Sequence, residues 1–229
     1  MPESALRHPL ARALLALTFT TGLVDAVSYL GLGHVFTANM TGNIVFLGFG
    51  IAGGTGLPVV APLVSLVAFL VGAGAGGRLA AQIADHHQRH FAGALGIETL
   101  LIGVAAIVAI VIDVHPDRIS GYVVIALLAL AMGTRNATVR HLGVPDLTTT
   151  VLTMTLTGLA AESPLAGGTG KGSVRRTAAV ASMLCGALAG ALLLKTSLVL
   201  PLAAASGLAL ITWVLYVPAA RRLAPSEPG

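Results

Sequence analysis

Thr37-Ala38-Asn39-Met40-Thr41-Gly42-Asn43, followed by the apolar run Ile44 to Gly53, decides how this chain is read. The heptad is small and polar where a membrane segment should be greasy. A crossing takes about 20 apolar residues at 1.5 Å each to span a core about 30 Å thick. The run behind the heptad is half that length and predicts a re-entrant half-helix over 40–53. A weaker copy, Thr149-Thr150-Val151-Leu152-Thr153-Met154-Thr155, precedes the run Leu156 to Ala161 and predicts a second half-helix over 151–162. Short, interrupted segments at matching places in two halves are the sequence-level mark of a transporter binding site.

Composition sets the solvent. The 229 residues are 55% hydrophobic and only 10% charged, against about 25% charged in soluble domains. So few charges cannot cover a water-facing surface, so the bilayer is the expected partner. The net charge of +4 reads as topology signal, because the basic residues sit between greasy runs. No basic helix or aromatic platform suggests nucleic acid. Cys185 is the single cysteine and reads as a small buried residue. No internal disulfide, metal-ligand spacing or cofactor motif is present.

Six longer runs remain: Ala13 to Leu32, Val59 to Ala81, Ala92 to Ile112, Gly121 to Leu142, Thr177 to Leu194 and Leu198 to Ala220. Gln82 to Phe91 and Ser163 to Arg176 read as loops. The first run lacks a clean small-residue exit and reads as a span rather than a cleaved signal. Registers in the two halves match. Gly22-x-x-Asp25-Ala26 aligns with Gly133-x-x-Asn136-Ala137, Thr37-x-x-x-Thr41 with Thr149-x-x-x-Thr153, and Gly72-x-x-x-Gly76 with Gly186-x-x-x-Gly190. The near-constant offset predicts a duplication, with repeats over 13–113 and 120–220.

Charge decides the topology. With the short segments re-entrant and the N-terminus inside, only Arg118 and Lys195 of the 13 Lys and Arg residues fall outside. With the short segments crossing, Arg78, Arg89, Arg135, Arg140 and Lys195 all lie outside. The first arrangement obeys the positive-inside rule better. It gives each repeat an odd number of crossings, so the repeats are inverted. Both termini are then cytoplasmic, and the hairpins enter from opposing faces.

Asp25 lies mid-span, where a carboxylate costs at least about 3 kcal/mol on insertion scales. It reads either as a solute or proton-coupling site or as a structural partner of Arg135 or Arg140. Arg135 and Asn136 hold the matching position in the second half. Arg135 reads as an anion contact or counter-charge, with snorkelling as the alternative. Asn39, Thr41 and Asn43 are helix-capping types, and their spare polar atoms suit solute contact. Thr149, Thr150 and Thr153 carry the same two readings. Tyr29 is an interfacial anchor or a gate. Glu98 reads as a paired or lip-facing acid, with a proton relay as the alternative. His86-His87-x-x-His90 reads as a solvated loop, and Gly167 to Ser173 as a flexible basic loop without the phosphate-loop register.

Gly22-x-x-Asp25-Ala26-x-Ser28-Tyr29 with Phe36-Thr37-Ala38-Asn39-Met40-Thr41-Gly42-Asn43 resembles the YoaK-like family over nearly the whole chain. These are small bacterial inner-membrane proteins grouped as a domain of unknown function. The family's second half has Thr-Gly where this chain has Thr153-Met154. The resemblance implies a multi-span membrane protein and no particular substrate.

The expected fold is therefore all-α and integral to the membrane: six transmembrane helices plus two re-entrant half-helices, as an inverted-topology repeat. The expected function is secondary transport of a small, anionic solute across the bacterial cytoplasmic membrane, coupled to protons at Asp25. A passive channel and a non-transporting scaffold or sensor are the alternatives. No catalytic constellation points to an enzyme. Self-association into a homo-oligomer is left open.

Overall fold

A computed structural model describes residues 8–54, 56, 58–82, 87–142 and 152–223. Among them the chain forms eight α-helices: α1 (Pro9–Gly31), α2 (Met40–Ile51), α3 (Val60–Gln82), α4 (His87–Val111), α5 (Ile119–Leu142), α6 (Leu152–Ala161), α7 (Ser173–Leu194) and α8 (Val199–Leu223). A 3-10 turn, Pro164–Ala166, precedes α7. Pro9 suits the first position of α1, where its missing N–H costs nothing. The helix ends at a turn through Gly33, whose φ of +97° favours glycine.

Six helices are long and apolar enough to cross a bilayer: α1, α3, α4, α5, α7 and α8. Their outward side chains confirm the solvent. Leu70, Leu100, Ile110, Leu184 and Leu215 are among the large apolar residues left exposed, which only lipid tolerates over so wide an area. This is an all-α membrane protein with several crossings.

α1 and α5 form the centre. Their membrane windows are 72% and 61% buried, against 33% or less for the other four. α1 packs on α7 and α8, α5 packs on α3 and α4, and α4 packs on α8. The short helices lie outside this frame, α2 on α3 and α6 on α7. Exchanging α1 with α5, α2 with α6, α3 with α7 and α4 with α8 leaves this set of pairings unchanged.

The closest crossings repeat the same way. Gly22 lies against backbone of Met183 and Ala187 in α7, and Gly186 against that of Phe19 in α1. Gly133 lies against backbone of Phe69 and Ala73 in α3, and Gly72 against that of Leu130 in α5. One turn on, Gly190 meets Leu23 and Ala26, and Gly76 meets Thr134 and Ala137. A methyl on any of these glycines would collide. Small residues let lipid-embedded helices approach and gain dispersion where no hydrophobic effect drives them together. The Thr134 hydroxyl adds a hydrogen bond across the second crossing, to the Gly72 carbonyl at 3.2 Å.

Two apolar clusters order the helices. One gathers Leu32 and Val35 after α1, Ala61 early in α3, Ala106 late in α4, Val124 early in α5 and Leu202 early in α8. The other gathers Leu14 and Leu17 of α1, Phe91 and Leu95 of α4, Val139 late in α5, Ala179 early in α7 and Tyr216 late in α8. So α1, α4 and α7 run one way, and α3, α5 and α8 the other.

The structure corrects several expectations. α4 and α7 begin at His87 and Ser173, inside stretches read as loops. Polar and basic residues can continue a helix into the headgroup layer without losing backbone bonds. Cys185, expected buried, is exposed, because it points away from the α1–α7 contact. Arg176, counted as a loop charge, is buried, and pairs with Glu162 at 2.9 Å while donating to the Gly158 carbonyl at 3.0 Å.

Candidate functional site

The break between α1 and α2 is held by side chains from three helices. Asp25 lies six residues before the end of α1, about 9 Å down the helix at 1.5 Å per residue. One carboxylate oxygen accepts hydrogen bonds from the backbone N–H groups of Thr37 at 3.1 Å and Ala38 at 3.0 Å. Asn43, in the first turn of α2, closes a ring on Phe36. Its side-chain carbonyl accepts from the Phe36 N–H at 2.9 Å, and its amide donates to the Phe36 carbonyl at 2.6 Å. The Ser65 hydroxyl, from α3, donates to that same carbonyl at 2.7 Å. Extended backbone within a membrane survives only if such partners replace water. The chain thus turns back from the end of α1 toward Asp25, and peptide groups of Phe36, Thr37 and Ala38 find side-chain partners on the way.

These bonds revise the roles read from sequence. Asp25 pairs with backbone N–H groups rather than with Arg135 or Arg140. Asn39 occupies the cap position of α2 but makes no side-chain cap bond, and Asn43 turns back to Phe36. Asn39 and Thr41 are exposed, whereas Asn43 is fully buried. Tyr29, the candidate gate, stacks on Phe36 with ring centres 4.9 Å apart and meets His34 edge-on at 5.2 Å. Phe46 completes this aromatic group over the break.

Arg135 serves a second network. It forms a two-pronged ion pair with Glu98 of α4, its Nε donating to Glu98 Oε2 at 2.7 Å and its Nη2 to Oε1. Its remaining arm donates to the Leu17 carbonyl at 2.8 Å and the Thr21 hydroxyl at 2.5 Å, both on α1. Both charged groups are buried. A carboxylate and a guanidinium this deep survive because they pair with each other and the remaining arm of Arg135 also finds acceptors. The pairing of Glu98 agrees with one of its sequence readings.

The two networks share a face of α1. Leu17, Thr21 and Asp25 follow at four-residue spacing, one helical turn apart. A polar column thus runs from Glu98 through Arg135, Thr21 and Asp25 to Thr37, inside an apolar bundle. The Thr37 hydroxyl is buried in this column with no hydrogen-bond partner among the described residues. Asn136, beside Arg135, donates to the Met132 carbonyl of its own helix at 2.8 Å. Thr153 is exposed, and its carbonyl accepts from Thr157 at 2.9 Å. Thr149 and Thr150 lie outside the described residues.

Sequence reasoning missed Ser65 and Thr21. Ser65 left a signal, since it is the only polar side chain between Val59 and Gly72. Thr21 stands among other threonines in α1, so nothing marked it.

Comparison with known proteins agrees with the membrane architecture. Residues 13–215 match the family model described as "Protein of unknown function (DUF1275)". The chain is 32% identical over 160 residues to "UPF0700 transmembrane protein YoaK" of Bacillus subtilis (strain 168), covering 69% of this chain and 68% of that protein. No solved structure matches. With its glycine crossings, its break and the buried charges beside it, the chain belongs to the YoaK-like DUF1275 family of multi-pass membrane proteins.

Proposed function

We propose that this protein is a secondary transporter of a small, anionic solute in the bacterial cytoplasmic membrane, coupled to protons through Asp25. The observation that carries the reading is the polar column. It ties a membrane-embedded carboxylate to the one irregular backbone segment described within the bundle. A proton on Asp25 would replace two charge-assisted hydrogen bonds by weaker neutral ones. The break before α2 would loosen, and the two packing arrangements of the halves would change in relative stability.

The proposed architecture is an inverted repeat with α2 and α6 as re-entrant half-helices. The end of α1 and the start of α3 share one apolar cluster; the end of α5 and the start of α7 border the other. This sharing supports short helices that each join two ends on one face, the two faces being opposite. The helix N-termini carry unpaired N–H groups and a positive dipole end, which favours an anion. In this state Asp25 holds the Thr37 and Ala38 N–H groups just ahead of α2 and Glu98 holds Arg135, and a solute anion would compete with them. The positive-inside pattern supports cytoplasmic termini.

The test is a proteoliposome assay with an internal pH dye and a panel of small carboxylates and phosphate esters. Wild type should acidify the lumen with at least one of them, and an uncoupler should abolish accumulation. Asp25→Asn should fall to the level of empty vesicles. Unchanged acidification by Asp25→Asn would remove the coupling role. Flux indifferent to the uncoupler would favour a passive channel.

A further inference from the structure

We infer that an anionic phospholipid of the cytoplasmic leaflet occupies a cavity between α1 and α8; the choice of leaflet alone rests on the topology proposed above. The cavity measures about 440 Å³, within the roughly 300–1,000 Å³ of small-molecule sites. Ala13 and Ala16 of α1 and Ile211 and Leu215 of α8 line it. The lining Thr212 spends its hydroxyl on the Leu208 carbonyl of its own helix, at 2.7 Å. These walls offer apolar surface and suit an acyl chain.

One edge of the cavity carries a cation. Arg12 lines the cavity near the start of α1 and is exposed. α8 carries Arg221 and Arg222 directly after Ala219 and Ala220, and Ala219 also lines the cavity. Basic pockets between helices on the cytoplasmic side bind anionic headgroups. An apolar slot with Arg12 at its edge, and two more arginines next in sequence after the lining Ala219 and its neighbour, suits one anionic lipid.

The slot belongs to one half only. In the register that pairs Gly22 with Gly133, Arg12 corresponds to Val123, Ala13 to Val124 and Ala16 to Leu127. Val124 is fully buried and Leu127 packs on the same apolar cluster. Small residues and a cation thus replace bulk at this one crossing. None of the lining residues belongs to the column from Glu98 to Thr37, so the slot is separate from the proposed solute path.

Native mass spectrometry of the full chain in mild detergent tests this. The protein is offered phosphatidylglycerol and phosphatidylethanolamine with the same acyl chains. Wild type should retain one phosphatidylglycerol in preference. Arg12→Gln should cut that preference about fivefold, the worth of one basic residue near an anionic surface. Ala16→Leu, which installs the bulk found in the other half, should lose the retained lipid while keeping the wild-type elution volume and melting transition. Equal retention of the two lipids by wild type, retention of neither, or unchanged retention by a folded Ala16→Leu would overturn the assignment. No flux is measured, so failure here leaves the transport reading to its own test.

Discussion

Glu98→Ala should cost about 3–5 kcal/mol of stability, because removing one member of a buried pair strands the other charge. The stranded group is Arg135, which is 2% exposed. A guanidinium does not shed its proton. Its bonds to Leu17 and Thr21 remain, but they are made to neutral oxygens and leave the charge uncompensated. Arg135→Ala strands a carboxyl instead, which a proton can neutralise, so its cost should be smaller. Glu98→Leu combined with Arg135→Leu should recover most of the loss, since apolar replacements of buried pairs are often neutral. Unfolding in mixed detergent micelles measures all three. A double variant as unstable as Glu98→Ala would mean that the pair holds α1, α4 and α5 together in a way that packing cannot replace.

The glycine crossings predict a second large effect, with an internal control. Gly133→Val should push α5 off α3, because even its first carbon would meet backbone of Phe69 and Ala73. Gly22→Val should do the same to α1 and α7 through Met183 and Ala187. Overpacking of this kind costs typically about 1–3 kcal/mol. Backbone cannot turn aside as a side chain can, so the upper end is expected for both. Gly74→Val, on α3 with open space around it, should leave the melting transition within about 0.5 kcal/mol of wild type, as surface changes usually do. Equal losses at Gly133 and Gly74 would show that the crossing is not the tight contact described.

Much of this architecture was legible because lipid imposes simple rules. Run length marked α2 and α6 as too short, and the observed Met40–Ile51 and Leu152–Ala161 match the short runs to within a few residues. The glycines matched between the halves sit at the crossings, because only small residues permit backbone contact. Helix starts were less legible. His87 and Ser173 begin helices in polar sequence, where hydropathy falls before the hydrogen-bond ladder ends. Partners were least legible of all. The carboxylate of Asp25 chose peptide N–H groups twelve and thirteen residues away, and Arg135 chose Glu98 thirty-seven residues away. Charge alone allowed Asp25 and Arg135 to pair. The turn at Gly33 settled the matter by returning the chain to the level of Asp25, which left Arg135 to α4.

That return is what the account depends on, and cysteine labelling reads it directly. In a Cys185→Ser background, Gly54→Cys marks the turn after α2, and Leu165→Cys, at a fully exposed side chain, marks the turn after α6. A membrane-impermeant maleimide applied to intact cells should label Gly54→Cys at once and Leu165→Cys only after permeabilisation. Labelling of both positions from the same side would contradict half-helices that enter from opposing faces.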